Sequence, residues 1–417
     1  MAFSLKHPRH FWLIGGFCWL AYVSAYFGRV NLSICLPSLH DTYGFSKASL
    51  GIVAGGFFTA YAAGQLINGA LGDRFNPRYF VALGLFCAGV SNILFGNVRQ
   101  LAPMFIFWTL NGYFQSMLWG PLIRIIAGVT PKQHLHKMTL AFSSSTALGY
   151  LLSYTLVGRL SLVFGWKAGF FIPGAMLICI SLLWFWLFRD YGLPAADAPR
   201  SDAGTSGLLK TGNDLYRESP LLFIIRSRLW VAALVSMLLG SIKEGLTLWG
   251  PALFSEFRFL PMDMVLFIMS LVPFMNFAAL GACSFVYRLF NHREKHIMVF
   301  FLITASIAAF ALRISMAFSL ASMVIALSAL TMSIFATNNI LTAFLPLNFQ
   351  KERRISAAAG FLDCAVYIGA AASGPLTGLV VDRSGWPGVI TSWVVVCFLA
   401  TLTALCSKNY HKAQRGS

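Results

Sequence analysis

Residues 11–37 read FWLIGGFCWLAYVSAYFGRVNLSICLP, and this stretch decides the fold class. Arg29 is the only charged residue in it. Because an α-helix of about 20 apolar residues crosses the hydrocarbon core of a bilayer, the stretch predicts a transmembrane helix with one buried cation. No small-residue cleavage site separates it from the charged N-terminus, so we expect this helix to be retained and not removed as a signal peptide.

Similar apolar runs recur along the whole chain. Of the 417 residues, 58% are hydrophobic and 11% are charged, and the mean hydropathy is +0.71. Soluble domains are about 45 to 50% apolar and roughly 25% charged, so the composition excludes a soluble globular protein. The runs predict an all-α membrane protein with 12 transmembrane helices, near 11–37, 48–72, 79–96, 101–128, 138–164, 168–188, 229–254, 262–287, 296–313, 316–345, 355–381 and 388–407.

The basic residues indicate how the chain is oriented. Its net charge is +17, and most Lys and Arg lie between apolar runs, on the side that holds both termini. Since cytoplasmic loops collect Lys and Arg, we expect both termini in the cytoplasm and no nucleic-acid partner. The extended polar stretch 189–228 predicts a cytoplasmic linker between two six-helix bundles, 1–188 and 229–417.

The two halves share residue spacings. Arg29 precedes Pro37 by eight residues, and Lys243 precedes Pro251 by the same eight. A second match consists of three glycines that stand 17, 8 and 1 residues before a tryptophan in each half: Gly149, Gly158 and Gly165 before Trp166, and Gly369, Gly378 and Gly385 before Trp386. These matches predict pseudo-symmetric bundles, and transporters built from such repeats bind substrate between them.

The predicted helices contain charged residues, among them Arg29, Arg124, Lys243, Glu244 and Asp363. Each costs about 2.5 to 3.5 kcal/mol at a helix centre, so partners or function must offset the cost. The permanently charged, planar guanidinium of Arg29 favours anion binding. For Lys243 two interpretations stay open, an anion contact or pairing with Asp363 or Glu244. Direct pairing with Glu244 is disfavoured because consecutive helical residues point about 100 degrees apart.

Other polar residues extend this candidate site. Tyr22 and Tyr26 share a helix face with Arg29 through i, i+4, i+7 spacing. Asp363 is a candidate counter-ion, proton carrier or ligand contact. Arg124 follows Trp119 and is expected to brace an inner gate or to reach the membrane surface.

Four segments together resemble the organophosphate:phosphate antiporters of the major facilitator superfamily. The resemblance covers nearly the whole chain. The motif residues are Tyr22, Tyr26, Arg29 and Asn31 in helix 1; Gly72, Asp73, Arg74, Asn76, Pro77 and Arg78 in the following loop motif; Gln115, Trp119, Pro121 and Arg124 in helix 4; and helix 11, SAAAGFLDCAVYIGAAASGPLTGLVVDRSGW, with Tyr367. The resemblance implies the major facilitator fold, with Arg29, Lys243, Tyr61 and Tyr367 at the substrate and the loop and helix 4 motifs in gating.

Departures from the family pattern concern the substrate. Lys243 replaces a second arginine, Gln65 replaces a lysine that follows the retained Tyr61, and Thr146 replaces a histidine. Asp363 stands where these relatives usually have a small residue. These changes predict a ligand less highly charged than glycerol-3-phosphate.

The resulting functional prediction is a secondary transporter that moves an organic anion, a phosphorylated metabolite, in exchange for inorganic phosphate. Two cations in the site would make it costly to close without an anion, which couples the exchange. Two alternatives stay open: a proton-coupled carboxylate symporter, or a transporter-like sugar-phosphate sensor. The expected setting is a monomer in the lipid bilayer of a bacterial inner membrane.

Catalysis and bound cofactors are not expected. No loop gathers a nucleophile, a base and an orienting group, so an enzyme is disfavoured. The eight cysteines lack CxxC spacing, and His134 and His136 have no further ligand nearby, so neither a metal site nor a disulfide framework is predicted.

Overall fold

The computed structural model describes residues 10–188, 220–227, 229–290, 294–349 and 355–406, and all regular structure within these ranges is helical. The elements are α1 (His10–Tyr43), α2 (Lys47–Arg74), α3 (Pro77–Asn97), α4 (Leu101–Gln115), α5 (Trp119–Val129), α6 (Lys132–Leu152), a π-helical turn (Ser153–Val157), α7 (Gly158–Phe164), α8 (Ala168–Leu187), α9 (Pro220–Arg226), α10 (Leu229–Phe257), α11 (Met262–Leu289), α12 (Glu294–Ser315), α13 (Leu320–Asn339), a second π-helical turn (Ile340–Phe344), a 3-10 turn (Leu345–Phe349) and α14 (Ile355–Cys406).

The helical class follows from the bilayer. In hydrocarbon a spanning segment must satisfy its own backbone hydrogen bonds, which a helix does within one segment. Within the described ranges, ten helices are long and apolar enough to cross a membrane. The prediction of an all-α membrane protein is confirmed, while the count of 12 spans and the cytoplasmic termini stay predictions.

The prediction of one continuous helix over 101–128 was wrong, because the structure has two helices there. The first, α4, ends at Gln115, and the second, α5, begins at Trp119. Between them Met117 and Leu118 donate their amides to carbonyls three residues back, a tighter turn than the α-helix. Pro121 explains the break, because its ring clashes with the carbonyl four residues earlier and it has no amide to donate.

The last two predicted spans are joined in α14. Their boundary is Gly385, whose φ of 66° and ψ of −174° interrupt the helical geometry. A positive φ is easily adopted only by glycine, and Pro387 follows it. The bend therefore lies between the predicted ranges 355–381 and 388–407.

The predicted linker lies largely outside the described residues, as do residues 1–9 and 407–417. Its described end forms α9, which was not predicted. Phe223 of α9 is buried and its ring lies 5.2 Å from that of Phe349.

The two predicted halves meet mainly where α2 packs on α14 and α1 packs on α10. In the first of these contacts a Cβ added at Gly51 would collide with the carbonyl of Gly374. In the second, Ser33 Oγ donates to the carbonyls of Thr247 and Leu248, at 2.7 and 2.8 Å. Arg29 lies one helical turn before Ser33 on α1, and Lys243 lies one turn before Thr247 on α10.

Candidate functional site

Arg29 of α1 lies among aromatic rings. Its guanidinium carbon is 4.8 Å from the ring centre of Tyr26 and 4.6 Å from that of Tyr61, with Phe57 at 5.5 Å. Cation–π contacts stabilise a desolvated guanidinium by about 2 kcal/mol or more. The shared face of Tyr26 and Arg29 that the spacing predicted is therefore present.

One end of this guanidinium is held and the other is not. Nε of Arg29 donates to Oε1 of Gln115 at 3.1 Å. Its Nη2 is buried and makes no hydrogen bond to any residue that the structure describes. Because a buried donor without a partner is costly, this arrangement favours an acceptor, such as an anion oxygen, at Nη2.

A buried amide cluster fixes the backbone beside Arg29. The carbonyl of Gly28 accepts hydrogen bonds from Asn111 Nδ2 at 2.7 Å, Gln115 Nε2 at 3.1 Å and Asn92 Nδ2 at 3.3 Å. Gln115 Nε2 also donates to Asn111 Oδ1 at 3.0 Å. The family resemblance implied a gating role for Gln115, whereas its hydrogen bonds join it to Arg29, Gly28 and Asn111. Asn111 was not predicted. The available signal was a second amide one helical turn before Gln115.

The predicted tyrosines are brought together. Tyr22 and Tyr26 are in edge contact at 5.6 Å, and Tyr61 of α2 lies 4.7 Å from Tyr367 of α14. Tyr150, which sequence analysis did not identify, lies 4.8 Å from Tyr26. The cluster joins α1, α2, α6 and α14 around Arg29.

Lys243 and Glu244 of α10 form an ion pair, with Nζ 3.0 Å from Oε1. The expectation that these neighbours pair poorly was wrong. Their Cβ directions diverge by about 100 degrees, but the flexible ends of both side chains span the difference. The pair is largely shielded, with side-chain exposures of 17% and 6%, and in a low dielectric the attraction is strong.

Asp363 of α14 is half-buried and forms no hydrogen bond or ion pair with any side chain in the described ranges. It interacts electrostatically with Lys243, Glu244 and Arg29. Because Glu244 pairs with Lys243, the cation of this group without an ion-pair partner among the described residues is Arg29. Pairing of Lys243 with Asp363, the other alternative, is not seen as a direct ion pair.

Two of the four positions that depart from the family pattern are uncharged and belong to the same region. Thr146 of α6 is half-buried and lies beside the hydroxyl of Tyr26. Gln65 is half-buried on α2, one turn after Tyr61. Neither brings a charge to the site.

The other residues of the loop motif and of helix 4 make different contacts. Arg78 Nε donates to the carbonyl of Phe185 at 2.9 Å and its guanidinium lies 4.2 Å from that ring, which ties α3 to α8. Trp119 contacts Tyr22 at 4.9 Å, and Arg124 is half-buried on α5. The helical backbone of α2 includes three further motif residues whose side chains lie outside the described part of the structure: Gly72, Asp73 and Arg74.

A polar junction joins the two predicted halves. Lys47, at the start of α2, forms a 3.2 Å ion pair with Glu256, near the end of α10. Trp386 Nε1 donates to Glu256 at 3.0 Å, and Asp382 accepts from the amide of Ala48 at 3.0 Å. This junction was not predicted from the sequence, in which Trp386 was notable only for the glycine spacing before it.

Comparison of the fold with solved structures gives close matches among transporters. A crystal structure of a bacterial homologue of the human lysosomal transporter Spinster, inward-facing and unoccupied, superposes with a TM-score of 0.77 at 15% identity, covering 96% of this chain and 97% of that chain. A D-xylose-proton symporter gives 0.73 at 15% identity, covering 97% and 99%. At these identities the likeness concerns the fold alone.

Relatives in sequence identify a narrower group of proteins than the fold does. The chain is 27% identical to the glycerol-3-phosphate transporter of Bacillus subtilis over 94% of this chain and 91% of the relative. It is 25% identical to the membrane sensor protein UhpC of Escherichia coli, covering 95% and 91%. It is 32% identical to a probable hexose phosphate transport protein of Chlamydia trachomatis, but that match spans only 48% of this chain and 44% of the relative.

These relatives confirm the predicted resemblance to organophosphate transport proteins. The chain is an integral, multi-pass membrane protein, and its bacterial relatives agree with the predicted inner-membrane location. Residues 18–359 match the family model described as Major Facilitator Superfamily. Because this match covers well over half of the chain, the protein belongs to the Major Facilitator Superfamily.

Proposed function

We propose that this protein exchanges a phosphorylated organic anion for inorganic phosphate, by alternating access to a site between its two halves. The observation that carries the proposal is the Arg29 guanidinium, fixed at Nε by Gln115 with Nη2 buried and unpartnered among the described residues. Relatives named as glycerol-3-phosphate and hexose phosphate transport proteins support this substrate class. Family members and structural neighbours are transporters rather than enzymes.

The chemistry of this site suits a phosphate group. A guanidinium offers a rigid fork of donors to phosphate oxygens and keeps its charge when buried. The hydroxyls of Tyr22, Tyr26, Tyr61 and Tyr367 supply further donors around it. Gln65 and Thr146 would complete the site without adding charge. Lys243, held by Glu244, contributes less charge than a free lysine would.

Exchange follows from the charge of Arg29. No carboxylate of the described residues lies within ion-pair distance of its guanidinium. A bound anion therefore compensates this charge, and closure around the loaded site is easier than closure without an anion. Return of the binding site to its first orientation is likewise easier with a second anion bound, and in this proposal that anion is inorganic phosphate.

The test is uptake of labelled phosphate into liposomes that contain the purified protein. Vesicles preloaded with phosphate should take up label, and vesicles without internal phosphate should not. Arg29→Ala should abolish uptake, while Arg29→Lys, which keeps the charge but loses the fork, should retain a fraction. Normal flux in folded Arg29→Ala protein would overturn the assignment of this site.

Proton-coupled transport of an organic anion is the second candidate. The observation that favours it is Asp363, a half-buried carboxylate without a hydrogen bond or ion pair in the described ranges. This mechanism requires uptake into vesicles without internal phosphate when a pH gradient is imposed. Loss of that uptake in Asp363→Asn would establish it, and gradient-independent exchange would exclude it.

Sensing is a third possibility, favoured by the likeness to UhpC over 95% of the chain. A sensor needs a signalling partner and little flux of its own. Exchange by the purified protein alone, at rates typical of carriers, would rule out a purely sensory role. We also expect the protein to be monomeric in the bilayer. A measurement of the molecular mass of the purified protein checks this expectation.

A further inference from the structure

We propose that this site selects phosphate monoesters that also carry an ammonium group. The inference rests on the proposed function, because it uses Arg29 as the phosphate-binding residue. It adds a second recognition element, the carboxylate of Asp363.

The charges are distributed unevenly between two walls of the site, one formed by α1 and the other by α10 and α14. On α1 Arg29 carries a positive charge that no carboxylate of the described ranges pairs with. On the second wall, formed by α10 and α14, Lys243 is paired with Glu244, which leaves the carboxylate of Asp363 in excess. One wall therefore carries one net positive charge and the other one net negative charge.

The two helices of the second wall, α10 and α14, are in direct backbone contact. α10 and α14 touch so closely that a Cβ added at Gly240 would collide with the carbonyl of Val366. Lys243 follows Gly240 by three residues and Asp363 precedes Val366 by three. The lysine side chain and both carboxylates interact electrostatically. The two walls adjoin at Tyr61, whose ring lies 4.6 Å from the guanidinium of Arg29 and 4.7 Å from the ring of Tyr367, one helical turn after Asp363. The proposal therefore places one small ligand in contact with both walls.

A ligand with charge at one end only leaves this site unbalanced. Phosphate at Arg29 compensates the first wall but brings no cation to Asp363, and a carboxylate without a counter-charge in a low dielectric is costly. A hydroxyl can donate a hydrogen bond there but supplies no charge. An ammonium group supplies both, so an ester with phosphate at one end and ammonium at the other matches the two walls.

The experiment uses ester pairs that differ in this one group. Uptake of labelled phosphate into phosphate-loaded liposomes is measured with competing glucosamine-6-phosphate or glucose-6-phosphate, and with 2-aminoethyl phosphate or 2-hydroxyethyl phosphate. We expect each ammonium ester to inhibit at about a tenfold lower concentration than its hydroxyl partner, which corresponds to about 1.4 kcal/mol. N-acetylglucosamine-6-phosphate, which has no charge at that position, should lose the advantage.

Asp363→Asn is the matched variant. It keeps the shape of the side chain and removes the charge, so the inhibition ratio of each pair should fall to about one. Asp41→Asn removes a carboxylate at an exposed position near the end of α1, and the ratio should stay at about tenfold. Equal inhibition by both members of each pair in the unchanged protein, or a ratio that survives Asp363→Asn, would overturn the inference.

A binding measurement separates this inference from the proposed function. Ligands that bind the folded protein raise its melting temperature according to their affinity. The same ester pairs are therefore compared by thermal unfolding of the purified protein. Stabilisation by the ammonium esters at about tenfold lower concentrations, without phosphate exchange, would support the selectivity and overturn exchange. Phosphate exchange without such a difference between the esters would support the proposed function and overturn the selectivity.

Discussion

Gln115 holds Arg29 at two points. Its Oε1 accepts a hydrogen bond from Arg29 Nε at 3.1 Å, and its Nε2 donates to the carbonyl of the preceding residue, Gly28, also at 3.1 Å. One amide thus fixes both the side chain and the backbone that carries it. The outcome is a guanidinium whose Nη2 end has a set direction, which reduces the entropy lost when an anion binds.

We predict that Gln115→Leu weakens phosphate exchange without unfolding the protein. It removes a hydrogen bond to a charged group, worth about 1.5 to 3 kcal/mol, and we expect the half-saturating phosphate concentration to rise about tenfold or more. Asn111 still holds the Gly28 carbonyl at 2.7 Å, so the helix should keep its path. The measurement is the concentration dependence of exchange in liposomes.

Gln115→Glu is the informative partner of that variant. A carboxylate at this position would pair with Arg29 and neutralise it, so exchange should be lost at all phosphate concentrations. Unchanged kinetics in both variants would show that Gln115 does not position Arg29.

The sequence was sufficient for the fold class and for most of the residues near Arg29. Apolar runs of bilayer length define helices with little help from tertiary contacts, and i, i+4, i+7 spacing correctly placed Tyr26 beside Arg29. The break before α5 was missed because Pro121 was treated as part of a continuous apolar run.

Side-chain pairing was predicted less well. A helical wheel gives the direction of Cβ, but not where the flexible end of Lys243 lies, so its direct pairing with Glu244 was disfavoured. Lys47 and Glu256 lie in different halves, and no periodicity relates them. Their contact depends on how the halves meet, which is a property of tertiary packing alone.

Removal of the Glu244 charge should strengthen phosphate binding. In Glu244→Gln the positive charge of Lys243 is no longer balanced by its 3.0 Å partner, and uncompensated charge in a low dielectric attracts anions. We expect the half-saturating phosphate concentration to fall roughly tenfold. Asp41→Asn, at an exposed position near the end of α1, is the control with the same change in net charge and should show ordinary kinetics. A higher half-saturating phosphate concentration in Glu244→Gln would contradict the proposal that Glu244 balances the charge of Lys243.

The ion pair between Lys47 and Glu256 should assist closure of one end of the carrier. Both side chains are partly exposed, at 15% and 28%, so we expect an effect of about 1 kcal/mol or less. Glu256→Lys places like charges together and should slow exchange by about fivefold at most. The double variant Lys47→Glu with Glu256→Lys restores opposite charges and should recover part of the rate. A double variant slower than either single variant would argue against this contact.

Close packing of α2 on α14 gives a prediction for glycine. A Cβ at Gly51 would collide with the carbonyl of Gly374, which is backbone and cannot rotate away. Overpacking of this kind costs about 1 to 3 kcal/mol, so Gly51→Ala should disfavour the closed contact and slow exchange by about tenfold. Gly16→Ala is the matched control, because an added Cβ there has no atom within 4 Å, and it should exchange normally. Thermal unfolding with and without phosphate checks that Gly51→Ala still folds and binds. A Gly51→Ala rate equal to that of Gly16→Ala would mean that this contact is not needed for the transport cycle.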